Sequence, residues 1–256
     1  MSIFKNIDVE QLIEFIFLRY KEDGGFAAFP SLPSTIEDTF YAVDMVEKLH
    51  RLAPNIDLLP RIRPDIMADF IKIHSGGKAP LTVRLRYYLD EISRICGLAP
   101  YSTSGADFRH EKIISFAGIY YLTAKSSIKY VDTAGGTGLP PIDLEHCTCK
   151  DVYYNVLLHQ KPDLSQRKML VAWLKKCQNY DGGFGFYPGT TSFIENCDYC
   201  LTALSVLADT PFDMTGAARF ILACQCAAGG FSRNIRAVPF LESTWHATNI
   251  FSSLNW

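Results

Sequence analysis

A glycine pair followed by phenylalanine and then, thirteen residues after its first glycine, by a glutamate occurs three times in this chain. The copies are Gly24 with Glu37, Gly182 with Glu195, and Gly229 with Glu242. Two weaker copies begin at Gly76 and Gly135, so glycine pairs recur at fairly even intervals. Because glycine adopts positive φ at little steric cost and commonly ends helices, the pattern predicts an internal repeat of helical hairpins.

Each repeat supplies an amphipathic helix before the glycine turn and a more apolar helix after it. In the first repeat, residues 9–20 carry an apolar stripe, whereas residues 36–49 are apolar around much of the helix. Neither helix can bury its surface alone, so neighbouring hairpins must stack. We expect five hairpins in one all-α domain over residues 1–256, with the apolar helices as an inner layer. The pattern favours a closed ring, while an open solenoid stays an alternative.

The other predicted helices follow from the same alternation. They lie at about residues 65–73, 81–95, 108–124, 151–158, 163–177, 195–207 and 214–226, with a last inner helix that runs to Trp256. The glycine pairs separate the two helices of each hairpin.

The composition excludes several classes of function. With 25 basic and 27 acidic residues the formal net charge is −2, which gives no support to nucleic-acid binding. No apolar run approaches the roughly 20 residues that span a bilayer, and the first residues lack the pattern of a signal peptide. Eight cysteines without a secretion signal indicate thiols in a reducing compartment. We therefore expect a cytoplasmic protein.

The full repeat reads Gly-Gly-Phe, a loop, a hydrophobic residue, Glu, any residue, and Thr or Cys. It is carried by EDGGFAAFPSLPSTIEDTFYAV, YDGGFGFYPGTTSFIENCDYCL and AAGGFSRNIRAVPFLESTWHAT. This pattern resembles the prenyltransferase and squalene-cyclase repeat family. The resemblance implies an α/α toroid, which is a two-layer ring of helical hairpins, with about five repeats here.

The resemblance also implies a function. In the β subunits of protein prenyltransferases, an isoprenoid diphosphate occupies a central cavity, and zinc assists transfer of the prenyl group to a thiol or other nucleophile. Their Asp-x-Cys zinc motif corresponds to Glu195-Asn196-Cys197, and their histidine falls at Glu242, one helical turn before His246. The implied zinc ligands are therefore Glu195, Cys197 and His246, with Glu242 as a further carboxylate. A carboxylate and a thiolate both suit the positive end of a helix.

Other candidate residues complete the implied site. Cys197, Asp198 and Tyr199 are the catalytic candidates. A diphosphate needs basic partners because it carries several negative charges, but the family's basic positions are Ser192 and Gly189 here. The substrate-binding candidates are instead Arg233, Arg236, His146 and Lys150 for the diphosphate, and Tyr41 and Trp245 among the inner-helix aromatics for the isoprenoid chain. A helical α subunit is a further implied partner.

Two other functions stay open. The missing histidine and basic pair favour a non-catalytic toroid that binds a lipid-like ligand or a partner protein. A weaker alternative is a terpene-cyclase-like enzyme, for which the usual acidic motifs are absent but Asp198 would be an isolated acid. The residues also have structural interpretations: the repeat glutamates would cap inner helices and hydrogen-bond the glycine turns, and the cysteines would be small core residues.

Overall fold

The computed structural model describes residues 6–76, 81–101, 115–123, 141–158 and 162–253. Within these ranges the chain forms ten α-helices, and its only strand-like pairings are isolated bridges. The helices are α1 (Val9–Phe17), α2 (Ile36–Leu52), α3 (Pro64–Ser75), α4 (Val83–Ile95), α5 (Phe116–Thr123), α6 (Cys149–Leu158), α7 (Leu164–Lys176), α8 (Ile194–Val206), α9 (Met214–Ala223) and α10 (Leu241–Ser253). None of these described helices has the length and apolar character needed to cross a membrane.

The predicted alternation of helices is confirmed. The hairpin of α7 and α8 shows it well, because the two helices have equal length but differ in burial. Three of the 13 residues of α7 are buried, whereas nine of the 13 residues of α8 are buried. The first of each pair is amphipathic and the second lies in the interior, as the apolar pattern predicted.

Some helix ends differ from the prediction. α1 ends at Phe17 and α9 ends at Ala223, because the residues that follow pair in the extended conformation across the turn. Tyr20 bridges Phe26, and Gln225 bridges Phe231. The predicted turn at Gly135-Gly136, Gly77, the first part of the predicted helix 108–124 and Trp256 lie outside the described residues.

The chain divides into two compact units. Unit 1 comprises Met1–His110 and Gln225–Trp256, and unit 2 comprises Glu111–Cys224. In unit 1, α2 packs against both α4 and α10, so the last helix of the chain lies beside its first inner helix. In unit 2, α6 packs against α5 and α8. The single domain over residues 1–256 stays a prediction.

The glycine turns contact the start of another helix in the same unit. Gly182 has φ +88°, and a Cβ there would lie 2.1 Å from the carbonyl oxygen of Gly216 in α9. Gly229 has φ +93°, and its Cβ would lie 2.0 Å from the carbonyl oxygen of Gln11 in α1. Both positions therefore require glycine, for the backbone conformation and for the close approach. The contact of Gly229 also joins the last repeat of unit 1 to the first helix.

Candidate ligand site

Aromatic side chains from three inner helices meet in unit 1. The ring of Phe40 (α2) stacks on Tyr88 (α4), with centroids 4.0 Å apart and an interplanar angle of 6°. The ring of Tyr41 lies 4.9 Å from that of Trp245 (α10). Phe40, Tyr41 and Tyr88 are buried, and Trp245 is half-buried. The two aromatic residues predicted to bind substrate, Tyr41 and Trp245, are thus in contact within one cluster.

A cavity of about 430 Å³ in unit 1 adjoins this cluster, where α2 and α10 begin. Its lining includes Glu37, Asp38, Tyr41, Arg84, Phe240 and Glu242. The guanidinium of Arg84 forms an ion pair with Glu37. Burial raises the pKa of Asp38, and the negative charges of Glu37 and Glu242 raise it further. The wall thus combines aromatic rings with a surplus of acidic side chains.

A second aromatic cluster lies in unit 2 and consists of tyrosines. The ring of Tyr199 (α8) lies 5.2 Å from that of Tyr153 (α6). The hydroxyls of Tyr121 (α5) and Tyr154 (α6) are hydrogen-bonded at 2.7 Å. The ammonium of Lys150 lies 5.9 Å from the centroid of Tyr199, at the outer limit of a cation–π contact. Each unit therefore presents aromatic rings from three helices.

Buried threonines hold the glycine turns of unit 1. The hydroxyl oxygen of Thr39 accepts a hydrogen bond from the backbone N–H of Phe26 at 2.9 Å. In the last repeat the hydroxyl oxygen of Thr244 accepts one from the N–H of Phe231 at 3.0 Å. Both threonines are fully buried. They occupy the Thr/Cys position of the repeat motif, which ties the start of each inner helix to the turn before it.

Cys197 occupies the same position in unit 2. Its side chain is fully buried, and its sulfur accepts a hydrogen bond from the backbone N–H of Phe184. Burial raises the pKa of the Cys197 thiol well above its ordinary value, so the thiol is neutral. The cysteine therefore does for the fourth repeat what Thr39 and Thr244 do for the first and fifth.

The expectation that the repeat glutamates hydrogen-bond the glycine turns is wrong for Glu37, whose carboxylate pairs with Arg84 instead. The acidic group that does bind the turn lies within it. The N–H of Gly25 donates to Asp23 at 3.0 Å, and the N–H of Gly183 donates to Asp181 at 3.0 Å. A short aspartate reaches a neighbouring N–H without crossing the loop, which explains the difference.

Comparison with known families agrees with this architecture. The family model described as the prenyltransferase alpha-alpha toroid domain matches residues 1–69 and 139–194. Over these segments the chain is similar to the prenyltransferase α/α-toroid family, so the resemblance seen in the repeat motif is confirmed. The match includes the first strong repeat and the glycine turn of the fourth, and it confirms the predicted fold class. No curated protein matches the chain at a significant level.

The four predicted zinc ligands divide between the two units. Glu195 and Cys197 belong to unit 2, and Glu242 and His246 belong to unit 1. His246 is buried with its ring 4.8 Å from that of Trp245, while Glu242 is exposed. Among the residues that the structure describes, no group of three or more His, Cys, Asp or Glu side chains is arranged to hold a metal. The zinc site stays a prediction.

The predicted diphosphate ligands lie at the protein surface. Arg233 and Arg236 are exposed in the loop before α10. The imidazole of His146 is also exposed and lies 2.8 Å from the carboxylate of Asp143. Lys150 is the candidate that adjoins an aromatic cluster, through its contact with Tyr199. Their role in binding a diphosphate stays a prediction.

The other catalytic candidate, Asp198, is buried in α8. Its carboxylate accepts a hydrogen bond from the hydroxyl of Thr202 at 3.2 Å, one turn along the same helix. This contact satisfies part of the hydrogen-bonding capacity that a buried carboxylate requires. The role of Asp198 as an acid stays a prediction.

Part of the cavity lining was not predicted from the sequence. Tyr41 and Glu242 were predicted to be functional, but Asp38, Arg84 and Phe240 were not. The sequence does carry a signal that Glu37 belongs to the site, because Glu37 shares its repeat position with Glu242. The structure adds that α2 and α10, which carry these two residues, are neighbours. No such signal existed for Arg84, which belongs to the repeat that lacks the glutamate.

Proposed function

We propose that this chain binds an isoprenoid ligand against the aromatic residues of its inner helices and that, with an isoprenoid diphosphate as donor, it transfers the prenyl group to a thiol or other nucleophile. The observation that carries the proposal is the cluster of Phe40, Tyr41, Tyr88 and Trp245, in a chain that matches the prenyltransferase toroid family. Aromatic rings attract an unsaturated hydrocarbon chain by dispersion, and their faces stabilise a developing allylic cation.

Zinc is part of this proposal. Glu195, Cys197 and His246, with Glu242, offer carboxylate, sulfur and imidazole donors of the types that zinc prefers. Bound there, zinc would hold an acceptor thiol in its thiolate form. Against this, a zinc-bound Cys197 must lose its proton, whereas its burial favours the neutral thiol.

A non-catalytic binding protein is the second candidate, and the position of Cys197 favours it. The sulfur of Cys197 accepts a hydrogen bond from the backbone N–H of the phenylalanine in its glycine turn, as the hydroxyls of Thr39 and Thr244 do in their own repeats. Its presence is therefore explained by the repeat architecture without any metal. In this alternative the aromatic clusters hold a lipid-like ligand, and no transfer follows.

Ligand binding is tested first with geranyl, farnesyl and geranylgeranyl diphosphates and the corresponding alcohols, by calorimetric titration of the full chain. We expect at least one of these ligands to bind, and Trp245→Leu to weaken its binding about tenfold, since loss of a ring contact and its buried area is worth about 1.4 kcal/mol. Trp173→Leu is the matched control, because Trp173 lies half-buried in the outer helix α7. Failure of every ligand to bind, or equal losses in the two variants, would overturn the proposal.

The metal is tested with Cys197→Thr, which removes the sulfur but keeps a hydroxyl acceptor where the other strong repeats have one. Protein purified without a metal-binding tag or added metal is analysed for zinc by mass spectrometry. We expect near-stoichiometric zinc in the wild type and its loss in Cys197→Thr, with the helical circular dichroism retained. Zinc-free wild type after incubation with zinc would remove the metal from the proposal and leave the binding function, which the ligand titration tests separately.

A further inference from the structure

The cavity of unit 1 carries excess negative charge. Glu37, Asp38 and Glu242 contribute three carboxylates to its wall and Arg84 contributes one guanidinium, so the ionised side chains sum to −2. The amino-terminal ends of α2 and α10 face the same region and offset about half a charge each. A surplus of about one negative charge remains after both helix ends are counted.

The one guanidinium in the wall is already engaged. Arg84 forms its ion pair with Glu37, so it is not a free anchor for an anionic ligand. Glu242, by contrast, makes no hydrogen bond or ion pair with any residue in the described part of the chain. Burial raises the pKa of Tyr41, and the negative charge of Glu242, which lines the same cavity, raises it further.

Aromatic rings form part of the same wall. Tyr41 is buried and fixed against Trp245, and Phe240 packs edge-on against Phe29 with centroids 4.9 Å apart. Both wall residues, Tyr41 and Phe240, are thus held in place by a second ring. Carboxylates together with aromatic faces are the groups that bind an organic cation, through charge attraction and cation–π contact.

We propose that this cavity binds an organic ammonium ion with an apolar body. The carboxylate of Glu242 pairs with the ammonium group, and the rings of Tyr41 and Phe240 contact the carbon atoms next to it. The carboxylate of Glu242 repels a phosphate or diphosphate group from its own position in this wall. The inference does not require the ligand to be an isoprenoid, so it stands apart from the proposed transfer reaction.

Three probes with one apolar body and different charge test the inference. Hexylammonium, hexanol and hexyl phosphate are titrated into the isotopically labelled full chain, and amide chemical shifts are followed by nuclear magnetic resonance. We expect hexylammonium to bind at least tenfold more tightly than hexanol, hexyl phosphate to bind more weakly than hexanol, and the perturbed amides to include Glu37, Tyr41 and Glu242. Higher salt should weaken the binding of hexylammonium but not that of hexanol or hexyl phosphate.

Glu242→Gln identifies the carboxylate, and Glu145→Gln is its matched control. Glu145 lies in a turn of unit 2 before α6, is exposed and lies outside this cavity, so both variants change the net charge equally. We expect Glu242→Gln to weaken hexylammonium binding about tenfold and Glu145→Gln to leave it unchanged. Equal effects of the two variants would show that only the general charge of the protein is being measured, and would overturn the inference.

Other outcomes also decide the matter. Hexyl phosphate binding as tightly as hexylammonium, or hexylammonium failing to shift the cavity amides, would overturn the inference. If geranyl alcohol still binds in a Trp245-dependent way in that case, the proposed isoprenoid function survives. If hexylammonium binds as expected while every prenyl ligand fails, the ammonium site stands and the isoprenoid function falls.

Discussion

The hydrogen bond between the hydroxyl of Thr39 and the N–H of Phe26 offers the sharpest test of how the repeat holds its glycine turn. Replacing Thr39 with valine keeps the shape and the β-branch of the side chain but removes the acceptor. Both residues are fully buried, so water cannot take over the hydrogen bond. We therefore expect the N–H of Phe26 to be left unsatisfied in Thr39→Val.

The expected cost follows from that geometry. A buried donor left without a partner lowers the free energy of unfolding by about 1–3 kcal/mol. Thr248→Val is the matched control, because Thr248 is also fully buried and lies in an inner helix of the same unit. Its hydroxyl donates to the carbonyl of Thr244 at 2.9 Å, and that carbonyl keeps its helical partner when the hydroxyl is lost. We expect Thr248→Val to cost less than about 0.5 kcal/mol, in the range of substitutions that break no buried network.

Urea unfolding followed by circular dichroism gives the stability of both variants, and amide hydrogen exchange gives a local reading. We expect Thr39→Val to lower the unfolding midpoint and to speed exchange of the Phe26 amide. Equal stability of Thr39→Val and Thr248→Val, together with a Phe26 amide as protected as in the wild type, would refute the proposed contribution of this hydrogen bond.

Two further predictions use the same unfolding measurement. Gly182→Ala and Gly189→Ala both force alanine to positive φ, which costs about 1–2 kcal/mol. Only at Gly182 would the new Cβ also meet a backbone atom, whereas nothing lies within 4 Å of a Cβ at Gly189. Gly182→Ala should therefore be clearly the less stable variant, and equal losses of stability would contradict the close approach at Gly182. The second prediction concerns pH: hydrogen bonds from Arg94 lower the pKa of Glu47, so this pair stabilises the fold above the ordinary glutamate pKa and stops doing so as pH falls through the lowered value. Arg94→Gln should therefore be less stable than the wild type at neutral pH, and this difference in the free energy of unfolding should shrink as the pH is lowered to about 3. A difference that stays constant with pH would show that the Arg94–Glu47 pair is not the source of the lost stability.

The helical hairpins, the glycine turns and the threonine or cysteine position of each strong repeat could be predicted from the sequence, whereas the hydrogen bond from that position to the turn was found only in the structure. These features are local, because helix periodicity, positive φ and a fixed spacing from phenylalanine to threonine act within one repeat. The aromatic character of the inner helices was equally visible, and Tyr41 and Trp245 were identified from it. That information sufficed for the fold class and for part of the site.

Which repeats meet depends on tertiary packing. It brings α10 beside α2 and places Arg84 against Glu37, so that an acidic, aromatic cavity forms from residues far apart in sequence. Cys197 shows the same limit, since its sequence motif resembles a zinc ligand but does not reveal its burial or the hydrogen bond that its sulfur accepts from the N–H of Phe184. Local periodicity carries no information on the charge, burial and distance of such partners, because these depend on how separate helices pack together.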